Sequence, residues 1–338
     1  MRYLSIVIPL RNEEKYIAET LKSMIEQDYP RDRFELLIVD GSSTDSTRSV
    51  VERVITDNPD TDIRLLDNPG LLSSRARNVG IRAAEGKLIA VIDGHVHIPD
   101  KYLFRNMERL RENNQALCLS RPAPLDVPGL TAGAPYWIAV ARKCWLGHST
   151  KSFIYSEYEG YVDPMSAGFA YDSSVFDAVG YFDETFDAAE DVEFHYRLKK
   201  AGIKAYTAPS LMIYSYPRES IGALFRQQTR YGEGRARLVK KHPESFTKET
   251  LVPVGIFGLT VLTPLTLLTL PIMPLPSLVV ISIFLLYLAI LCTTGVYESL
   301  KRGHFIQAFY VALAVWTTHF GLGWGFSKTW ISKWPCVT

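Results

Sequence analysis

Leu88-Ile89-Ala90-Val91-Ile92-Asp93-Gly94-His95 is a run of five apolar residues closed by an acid, a glycine and an imidazole. A short apolar run with polar bounds reads as a strand buried on both faces, as in the middle of a parallel sheet. Its charged end then falls where open parallel sheets bind ligands, beyond the carboxyl ends of the strands. The same pattern recurs toward the N-terminus. Ser5–Pro9, Phe34–Val39 and Ile63–Leu66 are predicted strands, and Lys15–Gln27 and Ser73–Ala84 have helical spacing. Asp40-Gly41-Ser42-Ser43-Thr44-Asp45-Ser46-Thr47 is a polar turn rich in helix N-cap residues. The alternation predicts βαβ units, with Pro9, Asp40 and Asp93 all at strand ends. Neither G-x-G-x-x-G nor G-x-x-x-x-G-K-[ST] occurs in this region, so neither a dinucleotide fingerprint nor a P-loop is supported.

The C-terminal quarter has a different character. From Leu251 to about Phe326 the chain is almost uniformly apolar, and it offers three stretches at Val252–Leu270, Ser277–Thr294 and Phe305–Phe326. Each approaches the roughly 20 residues that a helix needs to cross a hydrocarbon core. Pro271-Ile272-Met273-Pro274-Leu275-Pro276 separates the first two as a tight uncharged turn. Gln307 and His319 interrupt the third, for which an interfacial or re-entrant placement is the alternative. A buried hairpin of a soluble domain is the alternative for the whole region. Arg235, Arg237, Lys240, Lys241 and Lys248 precede the first stretch, and Lys301 and Arg302 follow the second. The positive-inside rule puts both groups, and the N-terminal region with them, on the cytosolic side of a multi-pass cell-membrane protein. Trp324, Trp330 and Trp334 suit an interfacial aromatic belt.

Composition narrows the classes further. The 338 residues carry a formal net charge of +1, which does not favour nucleic acid as a partner. Cys118, Cys144, Cys292 and Cys336 are scattered without a CxxC, which argues against a disulfide framework or zinc knuckle. The apolar run after Met1 is too short for a secretory signal. The expected division is a domain over residues 1–248, its basic segment near 218–248 lying at the membrane interface, and a membrane domain over 249–338.

Five motifs carry a family resemblance: Ser5-Ile6-Val7-Ile8-Pro9-Leu10-Arg11-Asn12-Glu13-Glu14, Leu37-Ile38-Val39-Asp40-Gly41-Ser42-Ser43-Thr44-Asp45, Ser74-Arg75-Ala76-Arg77-Asn78-Val79-Gly80, Val179-Gly180-Tyr181-Phe182-Asp183-Glu184, and then Glu190-Asp191. In that order they resemble family 2 glycosyltransferases with the GT-A fold, over most of residues 3–240. Within that family the likeness is to membrane-anchored enzymes of bacterial exopolysaccharide assembly, of the succinoglycan type. The resemblance implies an α/β fold, a mixed, mainly parallel sheet with helices on both faces, followed by transmembrane helices.

It also implies a site. Pro9, Arg11, Glu13, Asp40, Arg75 and Asp93 would bind the nucleotide sugar, with Asp40 accepting from a uracil ring, so a UDP-linked donor is favoured over a GDP-linked one. Arg77 reads as a solvated helix charge. Asp93 and His95 would hold a divalent metal. An imidazole where the family has a carboxylate favours Mn2+ over Mg2+, and His97 is a spare ligand. Asp191 would be the general base of an inverting transfer, with Glu190 able to share the task. Gln227, Arg230 and Tyr231 resemble a Q-x-x-R-W motif beside the acceptor and diphosphate, with tyrosine in the place of tryptophan. The basic run Arg226 to Lys241 also reads as an amphipathic helix on anionic lipid. Tyr155, Tyr158, Tyr161 and Tyr171 fall near the expected acceptor cleft, with core packing as the alternative. The function expected is transfer of one sugar to a polyprenyl-linked saccharide at the bilayer. Direct glycosylation of polyprenyl phosphate and a non-catalytic nucleotide-binding scaffold are the alternatives.

Overall fold

The computed structural model describes residues 2–148 and 152–332, which divide into two compact units. The first comprises Met1–Val127 and Lys151–Tyr216, the second Pro128–Thr150 and Pro217–Thr338. This differs from the expected division at residue 248. Trp334 and Cys336 lie outside the described residues.

The first unit opens with β1 (Leu4–Leu10), α1 (Ile17–Ile25), β2 (Phe34–Asp40), α2 (Thr47–Asp57), β3 (Ile63–Asp67), α3 (Ser73–Ala83) and β4 (Leu88–Val91). It continues with β5 (Val96–His97), α4 (Leu103–Asn114) and β6 (Cys118–Ser120); α5 (Gly133–Lys143), next in the chain, belongs to the second unit. After it come β7 (Gly160–Val162), β8 (Gly168–Asp172), α6 (Ser174–Val179), α7 (Glu190–Lys200), β9 (Ala205–Thr207) and β10 (Tyr214–Ser215). Eight strands form one sheet in the order β3-β2-β1-β4-β8-β6-β9-β7, and β5 pairs with β10 in a small ribbon. The pairs β1–β2, β2–β3, β1–β4 and β6–β9 are parallel; β4–β8, β6–β8 and β7–β9 are antiparallel.

Every residue of β1 and β2 is buried, as a strand covered on both faces requires. The alternation of β1 divides the core in two. Ile6, Ile8 and Leu10 pack with α1 and α4 through Ile17, Leu21 and Phe104. Val7 packs on the other face with Ala76, Ile81 and Phe194 of α3 and α7. A Cβ on Gly80 would lie 2.3 Å from Val7 Cγ1, so this glycine lets α3 sit directly on the sheet. Glu35, fully buried, accepts from Ser5 Oγ at 2.6 Å and from the Glu85 N–H at 2.7 Å, and pairs with Arg64 and Arg2.

Chain order reverses between β1 and β4, since β2 and β3 extend one way and β4 the other. Pro9 falls at this switch point. Val7 O accepts from the Ile92 N–H at 3.0 Å on the β4 side, and Leu10 O from the Gly41 N–H at 2.9 Å on the β2 side. By that alternation the Pro9 nitrogen faces β4, beyond the last register pair Val7↔Val91. Its missing N–H therefore costs no ladder bond, and the sheet opens there into a crevice.

The second unit contains α5, α8 (Ile221–Lys241), α9 (Lys248–Thr269), α10 (Pro274–Leu300) and α11 (Ala308–Ile331). Three stretches are long and apolar enough to cross a membrane: Lys248–Thr269, Pro274–Leu300 and Phe305–Ile331. Each starts at or before its expected boundary. Pro274 and Pro276 sit in the first turn of α10 rather than in the connecting turn, where a missing N–H is harmless. α8, expected to belong with residues 1–248, instead packs on α11. A Cβ at Gly232 would lie 2.1 Å from Leu322 O, and one at Gly325 2.0 Å from Thr229 O. Backbones this close are the mark of small-residue helix contacts in membrane proteins.

Candidate active site

The loops at the mouth of the crevice are stitched to one another. Asn12 Oδ1 accepts from the Thr44 N–H at 2.8 Å, Ser43 Oγ from the Asn12 N–H at 2.9 Å, and Thr47 Oγ1 from the Glu13 N–H at 2.7 Å. Asn12, Ser42, Leu71, Ala167 and Ala189 all have positive φ without being glycine. Each lies in a connection beside this edge of the sheet or at the start of α7. Such backbone is sparsely populated and gathers where geometry is held for function.

Asp40 sits at the end of β2 as expected and is 3 % exposed. Its Oδ1 accepts from Ser43 Oγ at 2.6 Å and the Ser43 N–H at 3.1 Å, so half of the carboxylate holds its own loop. Oδ2 has longer contacts, 3.4 Å to the Ser43 N–H and 3.7 Å to Arg48 Nη1. Arg11 is exposed at the mouth and Pro9 is buried beneath it.

Glu13 and His95 are brought together from loops 82 residues apart, at 2.8 Å between Glu13 Oε1 and His95 Nδ1. A carboxylate only accepts, so Nδ1 carries the proton in this contact. This is the carboxylate–histidine pairing that orients an imidazole toward a metal. Among the described residues no three His, Cys, Asp or Glu side chains gather as a metal site. Asp93 and His95, the expected metal ligands, are therefore not joined by a third such side chain among the described residues. His97 lies in the β5–β10 ribbon opposite Tyr214.

The centre of the site is Arg77, contrary to its reading as a solvated charge. Its side chain is 14 % exposed; Nε donates to Glu190 Oε1 at 3.1 Å, and Nη2 lies 3.6 Å from Asp93 Oδ1. Ser73 Oγ donates to the same Glu190 oxygen at 2.7 Å. Burial pulls the Arg77 pKa down, but Glu190, Asp93 and Asp191 outweigh it and hold it above the usual value. Arg75, two residues away, is half exposed and pairs with Glu184 at 3.4 Å. The signal in the sequence was spacing: Ser73, Arg77 and Gly80 share one helical face, and Gly80 is the residue that touches the sheet.

Glu190 and Asp191 open α7 after left-handed Ala189, where acids complement the helix dipole. Glu190 is buried and committed to Arg77 and Ser73. Asp191 is half-buried and close enough to influence Arg77 electrostatically, and no described residue hydrogen-bonds its carboxylate. Beneath it His195 meets Tyr171 Oη at 2.7 Å, and Tyr171 Oη donates to Gly168 O at 3.1 Å, tying α7 to β8. The four tyrosines do not form one cluster. Tyr171 is core, whereas Tyr161 packs edge-on to Tyr206 and Tyr158 against Phe153.

Arg121 is a second cation that no motif announced. It follows β6, whose end shares the crevice edge because β6 is antiparallel to β8 and β8 to β4. It is 9 % exposed, donates Nη1 to Ile213 O at 3.0 Å and covers the Phe169 ring. Burial lowers its pKa against an opposing effect from Asp93.

Gln227, Arg230 and Tyr231 lie on α8, in the second unit. Gln227 meets Tyr231 Oη at 3.2 Å. With its amide oxygen turned to Arg218 it accepts from Nε and Nη2 at 3.0 Å each. Arg230 and Tyr231 are exposed.

The model of glycosyl transferase family 2 matches residues 5–180, and that of glycosyl transferase family group 2 matches residues 145–327. Succinoglycan biosynthesis protein ExoA of Rhizobium meliloti is 31 % identical over 74 % of this chain and 74 % of its own. Dolichyl N-acetyl-alpha-D-glucosaminyl phosphate 3-beta-D-2,3-diacetamido-2,3-dideoxy-beta-D-glucuronosyltransferase of Methanococcus voltae is 28 % identical over 71 % of this chain and 75 % of its own. Among solved structures, the mannosyltransferase PcManGT from Pyrobaculum calidifontis, in complex with GDP-Man and Mn2+, superposes with a TM-score of 0.60 at 20 % identity. That match covers 94 % of this chain and 87 % of the other, and it is a likeness of fold.

Proposed function

The chain belongs to glycosyltransferase family 2, and from that premise we propose an inverting transfer from a UDP-linked sugar to a polyprenyl-linked saccharide at the cytosolic face of the cell membrane. The observation that carries this reading is the Asp191 carboxylate, without a hydrogen-bonding partner among the described residues, beside the Asp93–Arg77–Glu190 chain at the switch point.

The acceptor hydroxyl loses its proton to Asp191 as its oxygen bonds to the anomeric carbon. The bond from that carbon to the diphosphate breaks on the opposite face, and its electron pair leaves with the nucleoside diphosphate. Glu190 serves differently: it accepts directly from Arg77 Nε and from Ser73 Oγ, and so fixes the guanidinium. Arg77 and Arg121 supply positive charge where the diphosphate gains negative charge. A divalent cation held by Asp93 and His95, Mn2+ before Mg2+, would add Lewis-acid stabilisation of the same leaving group. The nucleoside is met by Pro9, Arg11, Glu13 and Arg75, with the pyrimidine ring on Asp40 Oδ2, the oxygen less used by the loop. A GDP-linked donor is the second reading, favoured by the GDP-Man complex of the archaeal neighbour.

The lipid acceptor is supported by the apolar helices and by the dolichyl phosphate compound in the name of the Methanococcus relative. Gln227, Arg230 and Tyr231 are assigned to that acceptor. The test is transfer from labelled UDP- and GDP-sugars to extracted membrane lipids, with wild type and Asp191→Asn. Asp191→Asn is expected to lower turnover by roughly 10²- to 10⁴-fold while nucleotide affinity stays unchanged. A variant retaining more than about a tenth of wild-type turnover, far above that range, removes Asp191 from the role.

A further inference from the structure

α9 and α10 run antiparallel, and Thr269 Oγ1 meets Ser277 Oγ at 3.1 Å beside the turn that joins them. Toward that turn the pair is bare: Leu262, Leu265, Leu268, Leu278, Ile283 and Leu286 are all exposed. α11 does not follow the pair to its turn. It begins against the end of α10, where a Cβ on Gly295 would lie 2.2 Å from Ala308 O, and reaches Tyr287 through His319 Nδ1 at 2.9 Å. It then leaves α10. A Cβ on Gly323 would lie 2.1 Å from Pro253 O, and Phe257 packs on Phe320 and Trp324 at ring distances of 5.3 and 5.5 Å. Pro253 and Phe257 belong to the first turns of α9. The contacts of α11 therefore fall on the half of the hairpin away from the Thr269–Ser277 turn, reaching as far as Tyr287 at the middle of α10.

A second observation agrees. α8 runs parallel along the last half of α11, with Phe225 and Gln228 at Gly321, Thr229 at Gly325, and Glu233 pairing with Lys328 at 3.1 Å. Lys240 Nζ closes the end of α11, donating to Thr329 O at 2.6 Å and Ser332 O at 2.8 Å. α8 exposes Arg226, Arg230, Arg235 and Lys241. Were α11 to cross the bilayer, these charges would be carried into hydrocarbon beside it, where charged side chains are rare and costly. The apolar window of α11 is 44 % buried within the protein, against 6 % and 11 % for α9 and α10.

We propose that α9 and α10 cross as a hairpin while α11 returns along the face where α9 begins, forming with α8 a layer that rests on anionic lipid headgroups. The exposed arginines supply the charge, and exposed Trp324, Trp330 and Ile331 supply the interfacial apolar groups. Ser332 then lies on the same face of the membrane as Lys248. This rests on the membrane placement of α9 and α10.

The test uses the full-length chain in sealed right-side-out and inverted vesicles. It carries a protease-sensitive C-terminal tag, in a Cys292→Ser, Cys336→Ser background with either Lys241→Cys or Ile272→Cys added for labelling by an impermeant maleimide. The tag is expected to be clipped in the orientation that labels the Lys241→Cys variant. Clipping in the orientation that labels the Ile272→Cys variant overturns the proposal. Labelling of both variants from one side overturns the membrane hairpin itself, and the proposal with it. Tryptic cleavage at Arg226, Arg230 and Arg235 is further expected to be several-fold slower in vesicles of anionic lipid than of zwitterionic lipid; equal rates refute the headgroup contact.

Discussion

Replacing Arg77 with Met tests the centre of the site most directly. The substitution keeps the length of the side chain and removes the charge, stranding Glu190, which is 5 % exposed. Loss of one partner of a buried pair costs about 3 to 5 kcal/mol. Protonation of the stranded glutamate caps that cost. For a carboxyl of reference pKa about 4.3, neutralisation at pH 7 takes about 3.7 kcal/mol, at about 1.36 kcal/mol per unit. The Ser73 hydroxyl, which still donates to Glu190 at 2.7 Å, reduces it further. We therefore expect a loss of about 3 kcal/mol, or roughly 6–12 °C in the midpoint of a domain of this size. Thermal unfolding of the detergent-solubilised protein reads the shift. Since the cost arises from an uncompensated charge, Arg77→Met with Glu190→Gln should recover at least half of it. Strict additivity of the two single variants, or a midpoint for Arg77→Met within about 2 °C of wild type where the same scaling leads us to expect several times that, would refute this account.

Three further outcomes follow from particular contacts. Gly80→Ala places a methyl 2.3 Å from Val7 Cγ1, in a core with no room to yield, and should cost about 1–3 kcal/mol, read as a lower unfolding midpoint. Arg121→Ala should weaken nucleoside diphosphate binding in calorimetry by about tenfold or more, the scale of a charge-assisted hydrogen bond, while nucleoside alone binds as before; equal losses for both would place Arg121 outside the diphosphate site. Asp172 tests pH dependence. Burial pushes its carboxyl up, but bonds from Ser174 and Arg111 prevail and hold it below the usual value. A depressed carboxyl stabilises the fold above its unfolded pKa of about 3.9. That contribution disappears as pH falls through the lower folded value, so Asp172→Asn should flatten the acid limb of the stability profile below about pH 4.

Strands and long apolar helices are legible in the chain because burial on both faces, or exposure to lipid, demands residue types that local sequence records. Ser5–Pro9 extends by one residue at each end into β1 and Phe34–Val39 by one residue into β2, and Asp40, Asp93, Glu190 and Asp191 lie at or just beyond the ends of elements as their positions indicate. Family membership follows from the same motifs. The partners of each charge do not. Arg75 and Arg77 sit in one motif, and helical phase puts them on different faces; only the seat of Gly80 on Val7 decides that Arg77 turns inward. Arg121 belongs to no motif and enters the crevice because two antiparallel pairings, β6 with β8 and β8 with β4, carry the end of β6 to the same edge. Residues 128–150 interrupt the first unit in sequence yet fold with the second, where Trp137 and Ile138 join Val311 and Val315. Hydropathy likewise gives the length of α11 but not its course. Composition along the chain determined which segments fold as strands or meet lipid, because those demands act residue by residue. Which charges meet, and where α8 and α11 lie, was decided by long-range packing at glycines, which a one-dimensional sequence does not specify.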